Sequence, residues 1–150
     1  MTGVLDDIDK KIIKEYINDS RLSYREIAKR INVAVGTVMA RTQKLQDSGI
    51  IKGYSAIIDH EKIGYSITAL IEIVVSKGKL VEMEKEIATL DGPCIVYDIT
   101  GNTDALIICK FRNRDALSAF TKHILSMPFV ERTNTHLVLA TVKEDLRIYP

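Results

Sequence analysis

The chain has 150 residues, of which 46% are hydrophobic and 27% are charged, with a net charge of +1 at pH 7. This composition is ample for the packed core of one domain or two small ones. No apolar run approaches the roughly 18 residues of a membrane span, and the acidic start MTGVLDDIDKK lacks the apolar core of a signal peptide. These features exclude membrane-spanning and secreted classes, so we expect a cytoplasmic protein.

The first fifty residues predict three short helices. In LDDIDKKIIKEYIND, apolar residues recur at helical spacing after acidic residues that suit a helix N-terminus. SYREIAKRI opens with Ser23 and Glu26, which have the spacing of a capping box. Only residues 32–34 separate this helix from a third one, predicted over residues 35–48 and ended by Gly49. Two helices joined by so tight a turn are typical of a helix-turn-helix.

The third predicted helix has an unusual exposed face. Its buried face is predicted to hold Val38, Thr42 and Leu45. The opposite face carries little bulk, which suits close approach of DNA, because the second helix of a helix-turn-helix enters the major groove. We expect Arg41 and Lys44 to contact phosphates. The candidate DNA-binding residues are Gly36, Thr37, Ala40, Arg41, Gln43 and Lys44.

The distribution of charged residues along the chain supports DNA binding by the N-terminal part. Residues 20–53 contain seven basic and two acidic residues, a net charge of +5, whereas residues 60–150 contain eleven basic and twelve acidic residues. The asymmetry predicts an anionic partner for the N-terminal part only. The alternative is a plain three-helix core whose basic face is merely solvated.

The rest of the chain predicts strands and helices in the order β-α-β-β-α-β. Residues 51–65 are interpreted as a linker, an extended connector followed by a loop or a single turn. The predicted strands cover residues 66–76, 94–100, 105–111 and 130–142, and the predicted helices cover residues 79–90 and 114–127. This order is that of a ferredoxin-like sandwich. The predicted class is therefore α+β, with a helix-turn-helix domain at 1–50, a hinge at 51–65 and a ferredoxin-like domain at 66–150.

Two helices can cover only one face of a four-stranded sheet. Residues 67–75 and 106–109 are nevertheless apolar on both faces. We expect an identical sheet from a second chain to cover the other face, which makes the protein an obligate dimer. The alternative is that the N-terminal domain folds back onto it.

The sequence shows no catalytic or metal-binding motif. His60, His123 and His136 have no ligand-like spacing with each other or with the cysteines, and His136 is interpreted as a structural residue. No Gly-x-Ser-x-Gly motif, P-loop or dinucleotide-binding motif occurs. We therefore predict no enzyme activity, no metal and no cofactor. Cys94 and Cys109 are predicted to be buried, reduced thiols, with a disulfide as the alternative.

The sequence resembles the Lrp/AsnC family of transcription regulators, of archaeal type, also called feast/famine regulatory proteins. The resemblance is carried by LDDIDKKIIKEYINDSRLSYREIAKRINV, TVMARTQKLQDSGIIKGYSAIID, KIGY, TGNTDALI and FVERTNTHLVL, which together span nearly the whole chain. It implies a winged-type helix-turn-helix, a β-linker and a ferredoxin-like domain that senses amino acids. It also implies dimers that assemble into higher oligomers, with an octamer expected here. The family usually has Ser at the position of Ala34 and an aliphatic residue at that of Thr42, so we expect a less stable third helix.

The resemblance implies an effector site at the loop GNTD. A free amino acid presents an ammonium, which the Asp104 carboxylate can bind, and a carboxylate, which backbone N–H groups of residues 101–103 can bind. The candidate effector-binding residues are Gly101, Asn102, Thr103, Asp104, Tyr97, Thr133 and Thr135. Their polarity favours glutamine or another polar amino acid. From the residues alone, the loop is better explained as a plain hairpin turn, and it is the resemblance that favours the effector site.

These observations predict a sequence-specific DNA-binding transcription regulator. We expect an amino acid to change its assembly or its affinity for double-stranded DNA. One alternative is an architectural, chromatin-like protein that wraps DNA with little ligand dependence. Another is a metabolite-binding enzyme subunit that never contacts DNA.

Overall fold

The computed structural model describes residues 5–76 and 78–150. They form two compact units, one containing residues 5–57 and 144–150 and the other residues 58–143. Among the described residues, no helix combines the length and the apolar character needed to cross a membrane.

Three helices build the N-terminal unit, as predicted. They are α1 (Asp7–Asn18), α2 (Tyr24–Ile31) and α3 (Val35–Asp47). Ser23 and Glu26 form the predicted capping box at the start of α2, and Asp6 and Asp9 form a second one at the start of α1. Gly49 follows α3 with a φ of 72°, which suits a residue without a side chain. The buried core of this unit consists of Ile12, Leu22, Ile27, Ala28, Val38 and Leu45.

The linker after α3 belongs to no regular element. Residues 52–59 lie in neither a helix nor a strand of the described chain. A single turn follows, in which Gly64 N donates to Glu61 O at 2.9 Å and Tyr65 N donates to His60 O at 2.8 Å. The turn agrees with the predicted loop before the second unit.

The end of the chain lies against the N-terminal unit. Residues 144–150 pack with α1 and the start of the linker. The hydroxyl of Tyr149 donates to Asn18 Oδ1 at 3.0 Å. The tail also lines a depression of about 1220 Å³ with residues that include Ile13 of α1. The apolar side chains of this tail therefore contact residues of α1 and the linker, a contact that no local sequence pattern predicts.

The C-terminal unit is the predicted ferredoxin-like sandwich. Its elements are β1 (Ile67–Val75), α4 (Leu80–Ile87), β2 (Pro93–Asp98), β3 (Ala105–Phe111), α5 (Arg114–Ser126) and β4 (Val130–Leu137). The antiparallel sheet has the order β2-β3-β1-β4. We expected the last strand to continue to residue 142, but β4 ends at Leu137, which pairs with Ala69 near the start of β1. Val138 N still donates to Thr68 O at 2.9 Å, which is close to the first residue of β1.

The two faces of the sheet differ in burial. Ala69, Ile71, Ile73 and Val75 of β1 are buried against residues of α4 and α5, and together they form the core of this unit. The alternate residues of β1 are only partly buried. On that open face, the partly buried apolar residues of β1 and β3 are Leu70, Val74, Leu106 and Ile108. The predicted second apolar face is therefore present, and within this chain it stays partly exposed to solvent.

The two cysteines have different environments. Cys109 is fully buried in the sheet, as predicted, and burial raises the pKa of its thiol to about 12. The prediction that Cys94 is buried is wrong, because Cys94 lies exposed on β2. This strand forms one edge of the sheet, and its register with β3 shifts between Pro93 and Ile95.

Candidate nucleic-acid interface and effector loop

The faces of α3 are arranged as the sequence predicts. Val38, Thr42 and Leu45 are buried in the core of the N-terminal unit. On the other side Gly36, Ala40, Gln43 and Lys44 are exposed and Thr37 is half-buried. A Cβ atom built on Gly36 would meet no atom within 4 Å. The missing side chain therefore leaves open space on the outside of the helix.

Arg41 is engaged within the protein. Its Nη1 donates to Asp9 Oδ1 at 3.2 Å and also contacts Asp6 Oδ2. These two carboxylates, Asp6 first, raise the pKa of Arg41 above its ordinary value. Asp9 is itself buried, so the guanidinium neutralises a buried charge and ties α3 to the start of α1. The sequence does not indicate this role, because the partners lie far apart in the chain.

Two further α3 side chains have local partners. Gln43 Nε2 donates to Asp47 Oδ1 at 2.8 Å. Gln46 Nε2 donates to the hydroxyl of Tyr54 at 3.4 Å. Lys44 forms no ion pair with any described residue and stays exposed.

The exposed side of α3 also carries apolar side chains that are not among the predicted DNA-binding residues. Val35 is 43% exposed and Met39 is 56% exposed. Met39 borders a shallow groove of about 770 Å³ whose other lining residues are Tyr24, Ala40, Gln43, Lys44, Asp47 and Ser48. The signal for this surface was the low polarity of VGTVMA at the start of the helix.

The buried side of α3 contains an unsatisfied hydroxyl. Thr42 is fully buried, and its Oγ1 has no hydrogen-bond partner among the described residues. At the start of the helix, Ala34 is the N-cap and supplies no side-chain hydrogen bond. A missing cap and an unpaired buried hydroxyl each destabilise a helix, so these features support the expectation of a less stable α3, which stays a prediction.

We expect Thr42→Val to increase the free energy of unfolding of the N-terminal unit by about 1 kcal/mol, because valine has the same shape and no polar group to desolvate. Urea unfolding of the two proteins measures the difference. Thr42→Ala is the matched control, since it also removes the hydroxyl but leaves a cavity, and it should destabilise the unit. A valine variant less stable than wild type would show that the hydroxyl is satisfied.

Tyr54 anchors the start of the linker to the helices. Its ring lies 5.1 Å from that of Tyr16 between centroids. Burial is the main cause that raises the pKa of Tyr54 to about 12. The chain leaving α3 is therefore fixed to α1 by an aromatic contact before it reaches the second unit.

The loop from Gly101 to Asp104 is tied to the end of β1. Asp104 N donates to Ile73 O at 2.9 Å, and Asp104 Oδ2 accepts the N–H of Val75 at 2.9 Å. Gly101 has a φ of 131°, a conformation that favours glycine. Asn102 is exposed and Thr103 is half-buried. One oxygen of the Asp104 carboxylate thus shapes the turn, while Oδ1 makes no hydrogen bond within the described chain.

The structure separates the other candidate effector residues within one chain. Tyr97 lies on β2 opposite Leu106, on the open face of the sheet. Thr133 and Thr135 lie on β4 opposite Ile73 and Ile71, on the face that the helices cover. Strands β2 and β4 are opposite edges of the sheet, about 14 Å apart at the usual strand spacing.

Thr133 is the β4 candidate nearest to the effector loop. It pairs with Ile73, the residue whose carbonyl accepts the N–H of Asp104. Thr133 is half-buried, whereas Thr135 is exposed. The fold therefore brings the loop and Thr133 to the same end of the sheet, on either side of β1.

A polar cluster occupies the open face between β1 and β4. Asn134 Nδ2 donates to Glu72 Oε2 at 3.1 Å, and His136 Nε2 lies 3.3 Å from the same oxygen. The hydrogen bonds from Asn134 and then from His136 lower the pKa of Glu72. This contact between neighbouring strands agrees with the structural role predicted for His136. Within the described part of the chain, no group of three or more His, Cys, Asp or Glu side chains is placed to hold a metal ion.

Both halves of the chain match known families. Residues 5–52 match a winged helix-turn-helix DNA-binding domain, and residues 68–148 match the Lrp/AsnC ligand binding domain. An HTH-type transcriptional regulator of Pyrococcus furiosus is 49% identical, over 97% of this chain and 99% of its own. The HTH-type transcriptional regulator FL11 of Pyrococcus horikoshii is 42% identical, over 96% of this chain and 95% of its own.

Solved structures show the same architecture. Escherichia coli AsnC superposes with a TM-score of 0.90 at 26% identity, and the match covers 98% of this chain and 99% of AsnC. A Neisseria meningitidis regulator solved as a complex with L-Met has a TM-score of 0.87 at 24% identity, covering 96% of each chain, and shows the shared fold. With both domain families matched in order and relatives of such identity, the chain is a DNA-binding transcription regulator of the Lrp/AsnC family with a ligand-binding domain, and not an enzyme.

Proposed function

We propose that this regulator binds a specific DNA sequence through the exposed face of α3, and that a free amino acid bound by the C-terminal unit changes its DNA affinity or assembly. The observation that carries the proposal is the open, nearly bare surface at Gly36 on the helix that a helix-turn-helix places in the major groove. Thr37 lies beside this surface and supplies a hydroxyl for a phosphate or a base edge.

Unpaired cations around α3 supply the attraction to phosphates. Arg25, Lys29 and Lys44 are exposed and form no ion pair with a described residue, unlike Arg30, which pairs with Glu15 at 2.9 Å. We assign phosphate contacts to these three side chains. Arg41 contributes to DNA binding mainly by holding α3 against α1, since its guanidinium is already bound by Asp6 and Asp9.

Gly36→Glu tests the DNA-binding surface. The free protein should fold normally, because the added Cβ has open space and a carboxylate in the first turn of a helix is favourable. On DNA the same carboxylate would meet phosphates, so we expect affinity to fall at least tenfold, roughly the effect of 1.4 kcal/mol.

Gly36→Gln is the matched control, since it adds nearly the same bulk without the charge and should lose less affinity. Fluorescence anisotropy with a labelled duplex gives the affinities, and circular dichroism checks the fold. Wild-type affinity in both variants would place the DNA elsewhere.

We expect Lys44→Ala to weaken binding to all sequences and to lower the slope of log affinity against log salt by about one unit, because each released phosphate contact contributes about that much. Arg21→Ala is the control, since Asp19 already binds the Arg21 guanidinium at 2.9 Å. Affinity titrations at four salt concentrations measure the slopes. An unchanged slope for Lys44→Ala would show that Lys44 does not contact the backbone.

The effector site proposed for the C-terminal unit is built on the loop from Gly101 to Asp104. Oδ1 of Asp104, which has no hydrogen bond among the described residues, is the proposed acceptor for an ammonium, and the backbone N–H groups of the loop are the proposed donors for a carboxylate. Thr133 lies at the same end of the sheet, and Tyr97 lies near the end of β2, in the hairpin whose turn is this loop. A polar amino acid such as glutamine suits these side chains, and a thermal-shift screen against the twenty amino acids identifies the effector.

The assembly proposed is a homodimer formed through the open faces of two sheets, with dimers joining into larger particles such as an octamer. The partly exposed apolar residues of that face, among them Leu70 and Ile108, favour burial against an identical surface. The polar cluster of Glu72, Asn134 and His136 has its own hydrogen bonds, so it can be covered without leaving these groups unpaired.

A further inference from the structure

We infer that Val35 and Met39 read thymine bases through their 5-methyl groups, so that apolar contact determines much of the sequence preference of α3. The inference deepens the proposed DNA-binding function and rests on it. In the major groove, thymine differs from cytosine by presenting a methyl group, which apolar side chains recognise.

The polar side chains of α3 that suit base recognition are largely occupied. Reading of guanine by hydrogen bonds usually takes an arginine or a lysine, and reading of adenine an asparagine or a glutamine. Arg41 is bound to Asp6 and Asp9, and Gln43 donates to Asp47. Among the described residues of the exposed face, Thr37 and Lys44 remain available.

Val35 and Met39 are exposed near the N-terminal end of α3. Val35 and Met39 lie four residues apart and therefore on the same side of the first two turns, the end of the helix that points at bases. Each is about half exposed, in a unit whose other helices bury their apolar faces. Methionine is unbranched and polarisable, so it adapts to a methyl group at several positions.

The surroundings select DNA rather than another protein as the occupant. The pair lies directly beside the open space at Gly36 and within the segment of net charge +5. Lys44 lines the same groove as Met39 and forms no ion pair with a described residue, whereas Asp47 of that groove accepts a hydrogen bond from Gln43. Apolar side chains next to an unpaired positive charge are complementary to the DNA major groove, where thymine methyl groups lie on the base edges and phosphates lie along both sides.

Uracil substitution tests the inference. A duplex is selected from random sequence with the wild-type protein, and each thymine is then replaced by uracil, which pairs identically but lacks the methyl group. We expect about fourfold weaker binding at each thymine contacted, the loss of one buried methyl. Met39→Ala and Val35→Ala should each become insensitive to uracil at their own thymine, while Lys44→Ala should retain the wild-type sensitivity.

The possible outcomes distinguish failure of methyl recognition from failure of the proposed DNA-binding function. Specific binding that no uracil substitution weakens would overturn methyl reading and leave the DNA-binding function standing. Uracil sensitivity that persists unchanged in both alanine variants would also overturn it, by assigning the methyl contacts to other residues. Failure to select any sequence would contradict the proposed function itself. Thermal melting of each variant confirms that the lost sensitivity does not come from unfolding.

Discussion

Val74→Asp is expected to convert the protein into a folded monomer, whereas Ile73→Asp is expected to unfold the C-terminal unit. The two residues are neighbours on β1, but their side chains lie on opposite faces of the sheet. Ile73 is completely buried among the core residues beneath the helices, where an unpaired carboxylate costs several kcal/mol. Val74 is only partly buried and pairs with Arg132 of β4, so an aspartate there is tolerated until a second sheet covers it.

Sedimentation at micromolar concentration and circular dichroism measure both outcomes. The wild type should sediment well above the 16.8 kDa of one chain, and Val74→Asp should sediment as one chain with an unchanged spectrum. Val74→Thr is the matched control, because it keeps the shape without the charge and should retain the dimer. A folded wild-type monomer, or a Val74→Asp variant that stays dimeric, would contradict association through the open sheet face.

Asp104→Asn is expected to reduce the affinity for the effector by about 10- to 150-fold, the loss of a charge-assisted hydrogen bond worth roughly 1.5–3 kcal/mol. The amide oxygen of asparagine can still accept the N–H of Val75, so the loop should keep its shape. Asp104→Ala loses both interactions and should also melt at lower temperature, because it leaves that N–H without its partner.

Calorimetry against the amino acid found by thermal-shift screening decides between the two roles of Asp104. DNA binding without effector should survive in both variants, since the helix-turn-helix belongs to the other unit. The change in DNA affinity caused by saturating effector should persist only where the ligand still binds, because coupling between two sites is reciprocal. Equal effector affinities in wild type and Asp104→Asn would mean that Asp104 only shapes the turn.

Local patterns predicted most of the secondary structure. The capping residues, such as Ser23 with Glu26, act within one turn, and apolar spacing shows which face of α3 is buried. The two helices and four strands of the second unit also follow from spacing, because each buries one stripe or one face. The division of α3 into a buried and an exposed face was therefore predictable from the sequence, whereas the exposure of Met39 was not predicted.

Long-range contacts were not predictable in this way. The pairing of Arg41 with Asp9 joins residues 32 positions apart, and Tyr149 with Asn18 joins residues 131 apart. The separation of Tyr97 from Thr133 depends on strand order, which apolar spacing does not encode. These features depend on how the helices and strands pack. The candidate effector residues come from several strands, so their arrangement was less predictable than that of the candidate DNA-binding residues, which lie on one helix.

The most direct test of the account compares two duplexes in one titration of the wild-type protein. One is the duplex selected from random sequence, and the other has the same base composition in scrambled order. At physiological salt we predict at least about 1000-fold tighter binding to the selected duplex, as specific regulators show. Equal affinity for both would contradict sequence-specific recognition by α3 and would describe a protein that coats DNA through its phosphates alone.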